Sequence, residues 1–272
     1  MYKDRAGTMS FFETFRPLVE ESEHCEIVIC PSFLDLATAV AATRGSSIQI
    51  GAQTLHWAKE GAFTGEVSGA RIRASGCSHV IVGHSERREY FGETNQSALK
   101  KTVAALDAGL IPIVCVGERE KKNAEAVLTE QFRCSLGALE DGQFARIVIA
   151  YEPVWAIGTG DTATPEKAAN AHRFIRALTN GRFGAEAAAN VRILYGGSVK
   201  SENAKGLRAP EPNRSPSISG KETLCLSSPS VSCQAQVFAR CDTPARAMTH
   251  VNPQPSVTTF SHSLPGPVRQ MR

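Results

Sequence analysis

Before residue 200, six short runs of apolar, largely β-branched residues recur along the chain, at 27–30, 48–52, 80–83, 111–116, 147–150 and 191–195. Runs of this length and composition read as strands buried on both faces. Segments with helical signals follow them, among them 95–108, 123–139 and a helix opened by Thr164-Pro165-Glu166 that runs to about Thr179. The runs begin about 20 to 45 residues apart, which is βα-unit spacing and predicts parallel strands covered by helices. A helix-like stretch at 8–23 precedes the first of the six. A helix in that place implies a strand upstream of it that the sequence does not hold.

The pattern changes near Leu207. Nine of the chain's 14 prolines lie beyond it, among dense serine, and such a composition sustains neither a helix nor a central strand for long. Residues 1–207 therefore read as one domain of parallel βα units and 208–272 as an unstructured, low-complexity tail, with 223–226 its best strand candidate. Charge follows the same division. The formal net charge is +3, but the tail holds seven basic and three acidic residues, leaving 23 basic and 24 acidic in 1–207. The periodic part is nearly neutral, which argues against a nucleic-acid partner. No apolar stretch has the length of a membrane span, and residues 1–10 carry charges where a signal peptide would carry its apolar core. Eight cysteines without C-x-x-C pairs or zinc-ligand spacing suit a reducing compartment and no metal site. The expected location is the cytoplasm.

Candidate chemistry collects where strands end. Residues 150–160 read AYEPVWAIGTG, which sets Glu152 at the end of a strand, Pro153 and Trp155 just after it, and Gly158 and Gly160 where a moving loop would need backbone freedom. A lone Glu at a strand end is usually solvated; the composite with an aromatic cover and a double-glycine hinge points to a base under a closing lid. Residues 80–88 read VIVGHSERR and place His84 at the same rim, followed by the charged cluster Glu86, Arg87 and Arg88, which needs partners. Residues 193–199 read ILYGGSV, where Gly196, Gly197 and Ser198 offer amides and a hydroxyl to an anion.

In this order, GAQTLHWAKEGAFTGEVS from Gly51 to Ser68, VGHSERREYFGET at 82–94, AYEPVWAIGTG and LYGGSVK at 194–200 resemble the triosephosphate isomerase family over residues 1–207. The resemblance implies a (β/α)8 TIM barrel that interconverts dihydroxyacetone phosphate and D-glyceraldehyde 3-phosphate by proton transfer through an enediol or enediolate. It implies that Glu152 is the base and His84 the neutral electrophile, that Gly158 and Ser198 bind the substrate phosphate, and that Glu86 and Cys115 adjoin the site, Cys115 as a packing residue. No metal or organic cofactor is implied. The 51–68 loop resembles the one that reaches into a partner subunit, with Thr64, Gly65 and Glu66 at its tip, Phe63 beside a glycine pair and Arg87 as a cross-subunit ion partner for Glu66. The expected assembly is a homodimer.

The resemblance also marks departures. The family's first strand, with a lysine two residues after an asparagine, and its eighth strand, with a second Gly-Gly phosphate turn, are not matched; the chain reads as truncated or frame-shifted at both ends. Two classes of reading follow: an isomerase, expected to turn over at least about a thousandfold more slowly than an intact relative, or a catalytically dead fragment that is at most a dimerisation module. A different barrel enzyme acting on a phosphorylated sugar is disfavoured by the lid motif. The incomplete barrel is expected to leave a gap with no eighth strand filling it.

Overall fold

The structure, a computed structural model, describes residues 3–22, 25–120, 122–156, 163–197, 222–226 and 237–240, the last two spans by their backbone alone. After α1 (Arg5–Val19), the chain alternates β1 (Ile27–Ile29), α2 (Leu36–Ala42), β2 (Gln49–Ala52), α3 (Gly69–Ala74), β3 (His79–Val82), α4 (Ser85–Tyr90), α5 (Asn95–Asp107), β4 (Ile111–Val116), α6 (Ala124–Ser135), α7 (Asp141–Phe144), β5 (Val148–Tyr151), α8 (Pro165–Asn190) and β6 (Arg192–Tyr195). The six predicted strands are all present, and each pairs parallel with the next in sequence. Helix starts follow their local signals. The Asp4 carboxylate caps α1 by accepting the Gly7 amide at 2.8 Å, Thr94 and Ser97 cap α5 reciprocally, and Thr164 caps α8 ahead of Pro165. Helix α8 runs past the expected end at Thr179 because Gly184, with φ +84°, joins two helical segments across a kink.

Alternation along the strands sorts the core into two layers. Val28, Cys30, Ile81, Ile113, Cys115, Val148, Ala150 and Leu194 pack on one another inside the ring. Their sequence neighbours Ile29, Val80, Val82, Val114, Ile149 and Ile193 face outward and pack with Phe12, Ile72, Leu128, Phe132 and Ile175 of the helices. The same parity continues below the interior layer, where Glu26, His79 and Arg192 stand two residues before Val28, Ile81 and Leu194. There Arg192 donates to Glu26 Oε2 at 2.5 Å, and His79 Nε2 lies 3.5 Å from Glu26 Oε1.

The ring departs from expectation at one place. The gap between β6 and β1 is spanned by two strands from beyond Leu207: β7 (Glu222–Leu226), parallel to β6, and β8 (Val237–Arg240), antiparallel to both β7 and β1. The expectation that no strand fills the gap is corrected here. Two open edges present rows of unpaired N–H and C=O groups, and the span with the best strand composition in the tail satisfies one of them while β8 returns as a hairpin to satisfy the other. The antiparallel sense of β8 sets it apart from the repeating parallel units of residues 27–195. The rest of 208–272 lies outside the described residues. Among the described residues, no helix is long and apolar enough to cross a membrane.

Candidate active site

Glu152 follows β5 directly. Its amide donates to Val116 O at 2.8 Å, continuing the β4–β5 ladder by one residue, and its parity with Val148 and Ala150 turns the side chain to the barrel interior. Glu152 is 3 % exposed. Oε2 accepts the Ser85 amide at 2.9 Å, and Oε1 lies 3.1 Å from His84 Nε2. Residues 67 positions apart in the chain thus meet because β3, β4 and β5 are adjacent staves ending at one rim.

His84 caps the short helix α4, its Nδ1 accepting the Glu86 amide at 3.3 Å. An acceptor at Nδ1 assigns the proton of a neutral imidazole to Nε2, which faces Glu152. The preceding Gly83 turns the chain at φ +72°, a conformation glycine adopts without strain. Both its backbone groups are held by the charged cluster: its amide donates to Glu93 Oε1 at 2.7 Å, and its carbonyl accepts Arg88 Nε at 2.7 Å. The cluster's partners are therefore local. Glu93 also takes Lys101 Nζ at 2.7 Å and Arg87 Nε at 3.0 Å, and Lys101 reaches Thr54 Oγ1 at 3.1 Å. Burial would raise the Glu93 carboxyl, but the bond and charge of Lys101, with the Gly83 amide and Arg87, hold it below the usual carboxylate range. Sequence reading missed Glu93; the only signal for it was that Arg87 and Arg88 required a partner.

Beside the carboxylate, the turn Val154–Ala156 carries Trp155, whose indole Nε1 donates to Glu118 Oε1 at 2.7 Å. The Tyr151 hydroxyl donates to the same oxygen at 2.9 Å, and Tyr151 is pushed above its ordinary pKa by burial and then by the Glu118 charge. Glu118 was also missed. The signal existed: VCVGE at 114–118 ends a strand in Gly plus a polar residue just as VIVGH does at 80–84.

Of the other expected site residues, Glu86 is on the exposed surface with its carboxylate 3.8 Å from His84 Nδ1. Cys115 is buried in the interior layer next to Ala150 and Ile113, and its carbonyl accepts Arg88 at 3.4 Å. Gly158 and Ser198 lie outside the described residues. Thr64, Gly65 and Glu66 are exposed at the tip of the 51–68 loop, which is braced by the His56 amide on Val67 O at 2.9 Å and by the His56 ring, stacked on Trp57 and tilted against Phe63 with ring centroids 4.4 and 4.2 Å away. Chemically, the rim brings together a buried carboxylate, an imidazole N–H donor and an indole-bearing turn, a set suited to moving a proton next to a carbonyl.

Comparison with known proteins agrees with this geometry. The triosephosphate isomerase family model matches residues 1–212. The triosephosphate isomerase of Solibacter usitatus is 64 % identical over 211 residues, covering 76 % of this chain and 85 % of the relative. That of Citrifermentans bemidjiense is 49 % identical, covering 76 % and 84 %. The crystal structure of triosephosphate isomerase from Bartonella henselae superposes with a TM-score of 0.67 at 35 % identity, covering 76 % of this chain and 84 % of that one. With strands, rim and sequence in agreement, the chain belongs to the triosephosphate isomerase family.

Proposed function

We propose that Glu152 and His84 carry out the family's interconversion of dihydroxyacetone phosphate and D-glyceraldehyde 3-phosphate in this chain. The carboxylate takes a proton from the carbon next to the substrate carbonyl. The C–H electron pair becomes the C=C bond of an enediolate as the carbonyl π pair moves onto oxygen. His84 Nε2–H faces that oxygen and stabilises its charge. Return of the proton to the neighbouring carbon, with the hydroxyl proton of the first carbon passing to the enediolate oxygen of the second so that the new carbonyl forms, completes the isomerisation, with no cofactor consumed. The observation that carries this reading is the 3.1 Å approach of His84 Nε2 to Glu152 Oε1 at the barrel rim. In the described state both carboxylate oxygens are engaged, so substrate displaces at least one of these contacts as it binds. Gly158 and Ser198 supply amides and a hydroxyl to the substrate phosphate in this reading. The chain works as a cytoplasmic homodimer joined through the 51–68 loop.

The test is solvent-deuterium uptake into dihydroxyacetone phosphate followed by NMR, which registers proton abstraction even when net turnover is slow. Glu152→Gln should reduce the exchange rate at least about a thousandfold, and His84→Asn at least about a hundredfold, as expected for loss of a base and of an oxyanion donor. Uptake unaltered by Glu152→Gln, or none from the parent chain, would overturn the assignment.

A further inference from the structure

Helix α6 contributes a side chain that no strand-end pattern picks out. The Gln131 carboxamide spans both backbone groups of one residue: Oε1 accepts the Gly117 amide at 2.7 Å, and Nε2 donates to the Gly117 carbonyl at 3.0 Å. The neighbours of Gly117 are tied the other way, toward the base. Val116 O receives the Glu152 amide at 2.8 Å, and Glu118 O receives the Val154 amide at 3.0 Å. Strand alternation explains the division, because successive residues point their backbone groups to opposite sides. Past the end of β3, Gln131 takes the place a strand partner would occupy.

Gly117 is also pressed against the base. A Cβ built on it would lie 1.7 Å from the Glu152 carbonyl oxygen and 3.1 Å from its Cα. The next residue, Glu118, is the one that receives the Trp155 indole and the Tyr151 hydroxyl. A single carboxamide therefore fixes the residue that supports the Glu152 backbone on one side and begins the anchor of the Trp155 turn on the other. Gln131 and Gly117 both border a cavity of about 340 Å³ that Glu152 and Ser85 also line.

We propose that Gln131 is a positioning residue for the isomerase site, setting the Glu152 backbone and the Trp155 turn through its two bonds to Gly117. The proposal rests on the reading of Glu152 as the base. Gln131 touches no reacting atom in this reading, so its loss acts on the rate of the chemical step and on the anchoring of the indole more than on substrate affinity.

The experiment uses the full chain with Trp57→Phe, which leaves Trp155 as its one tryptophan. Gln131→Met keeps the length of the side chain and removes both bonds; Gln131→Glu keeps the acceptor and removes the donor; Thr129→Ala, on an exposed part of the same helix, is the control. Two hydrogen bonds of ordinary net strength correspond to about a tenfold effect. Gln131→Met should speed hydrogen exchange of the Trp155 indole N–H about tenfold and lower kcat or the deuterium-uptake rate by about the same factor, with KM within about twofold. Gln131→Glu should show a smaller change of the same kind, and also serves if Gln131→Met fails to fold. Unchanged indole exchange in both folded variants, or a rise in KM with kcat intact, overturns the proposal. A parent chain with no deuterium uptake while indole exchange still responds to Gln131→Met defeats the reading of Glu152 and leaves the mechanical coupling standing.

Discussion

Gly117 shows how far a single residue can be constrained. With the Glu152 carbonyl oxygen 1.7 Å from where its Cβ would stand, Gly117→Ala forces the β4 and β5 ends apart, since a backbone carbonyl cannot rotate aside as a long side chain could. We predict a loss of about 3 kcal/mol or more, read from the urea midpoint, together with loss of isomerase activity. A destabilisation under about 1 kcal/mol would mean that the two strand ends have more play than this contact implies. At this scale the sequence was legible where chemistry stands at a strand end. Glu152 and His84 take the strand-end places read for them because Gly-polar or apolar-carboxylate endings are local patterns. Gln131 was not legible, because nothing in α6 marks which of its polar residues turns inward.

Among the elements, the barrel floor makes a prediction about pH. His79 is enclosed by β3 and its neighbours and faces Glu26, Arg192 and the Ser78 hydroxyl at 2.8 Å. His172, in α8, lies against the Tyr151 ring and close to Arg176 and the Leu194 backbone. Burial is the largest cause of lowering in both, taking each from 6.5 to about 4; Glu26 opposes it at His79, while Arg192 and Arg176 add to it at their respective histidines. The unfolded chain then binds protons that the folded chain refuses. Stability is fully present above pH 6.5, falls as the pH drops from there to about 4, and loses nothing further from these groups below that. The loss is at most about 3 kcal/mol per histidine. Urea midpoints measured between about pH 7.5 and about pH 5 should decline in the parent, with a shallower decline in His79→Gln and His172→Gln. Identical slopes in all three would show that these imidazoles do not govern acid sensitivity. Glu93, whose carboxyl is held low, contributes stability that is lost only as the pH falls below the ordinary carboxylate range.

For the whole molecule, the surface is informative. Leu34 is 91 % exposed and Phe91 67 %, and with Phe33, Trp57, Phe63 and Tyr90 they belong to the segments that follow β1, β2 and β3, three consecutive staves. Apolar groups gathered on neighbouring loops suit a self-complementary contact, which supports the homodimer reading. The cross-subunit role expected of Arg87 has a competitor, since its guanidinium already bonds Glu93 and lies 4.7 Å from the Phe91 ring. Sedimentation velocity should find the parent as a dimer at micromolar concentration and Thr64→Arg as a monomer; a monomeric parent would end the dimer reading. The sequence by itself determined the six parallel strands, the rim on which Glu152 and His84 stand and the family. Each of these depends on periodicity or motifs within a dozen or so residues, and period-2 alternation assigns the facing of a strand without further information. Only the tertiary structure decided what meets across the chain: Ser85 on Glu152, Lys101 on Thr54, the Gln131 clamp and the closure of the ring by β7 and β8. The physical reason is that a backbone or buried polar group must find a partner somewhere, and which one it finds is set by packing between distant segments rather than by the residues beside it.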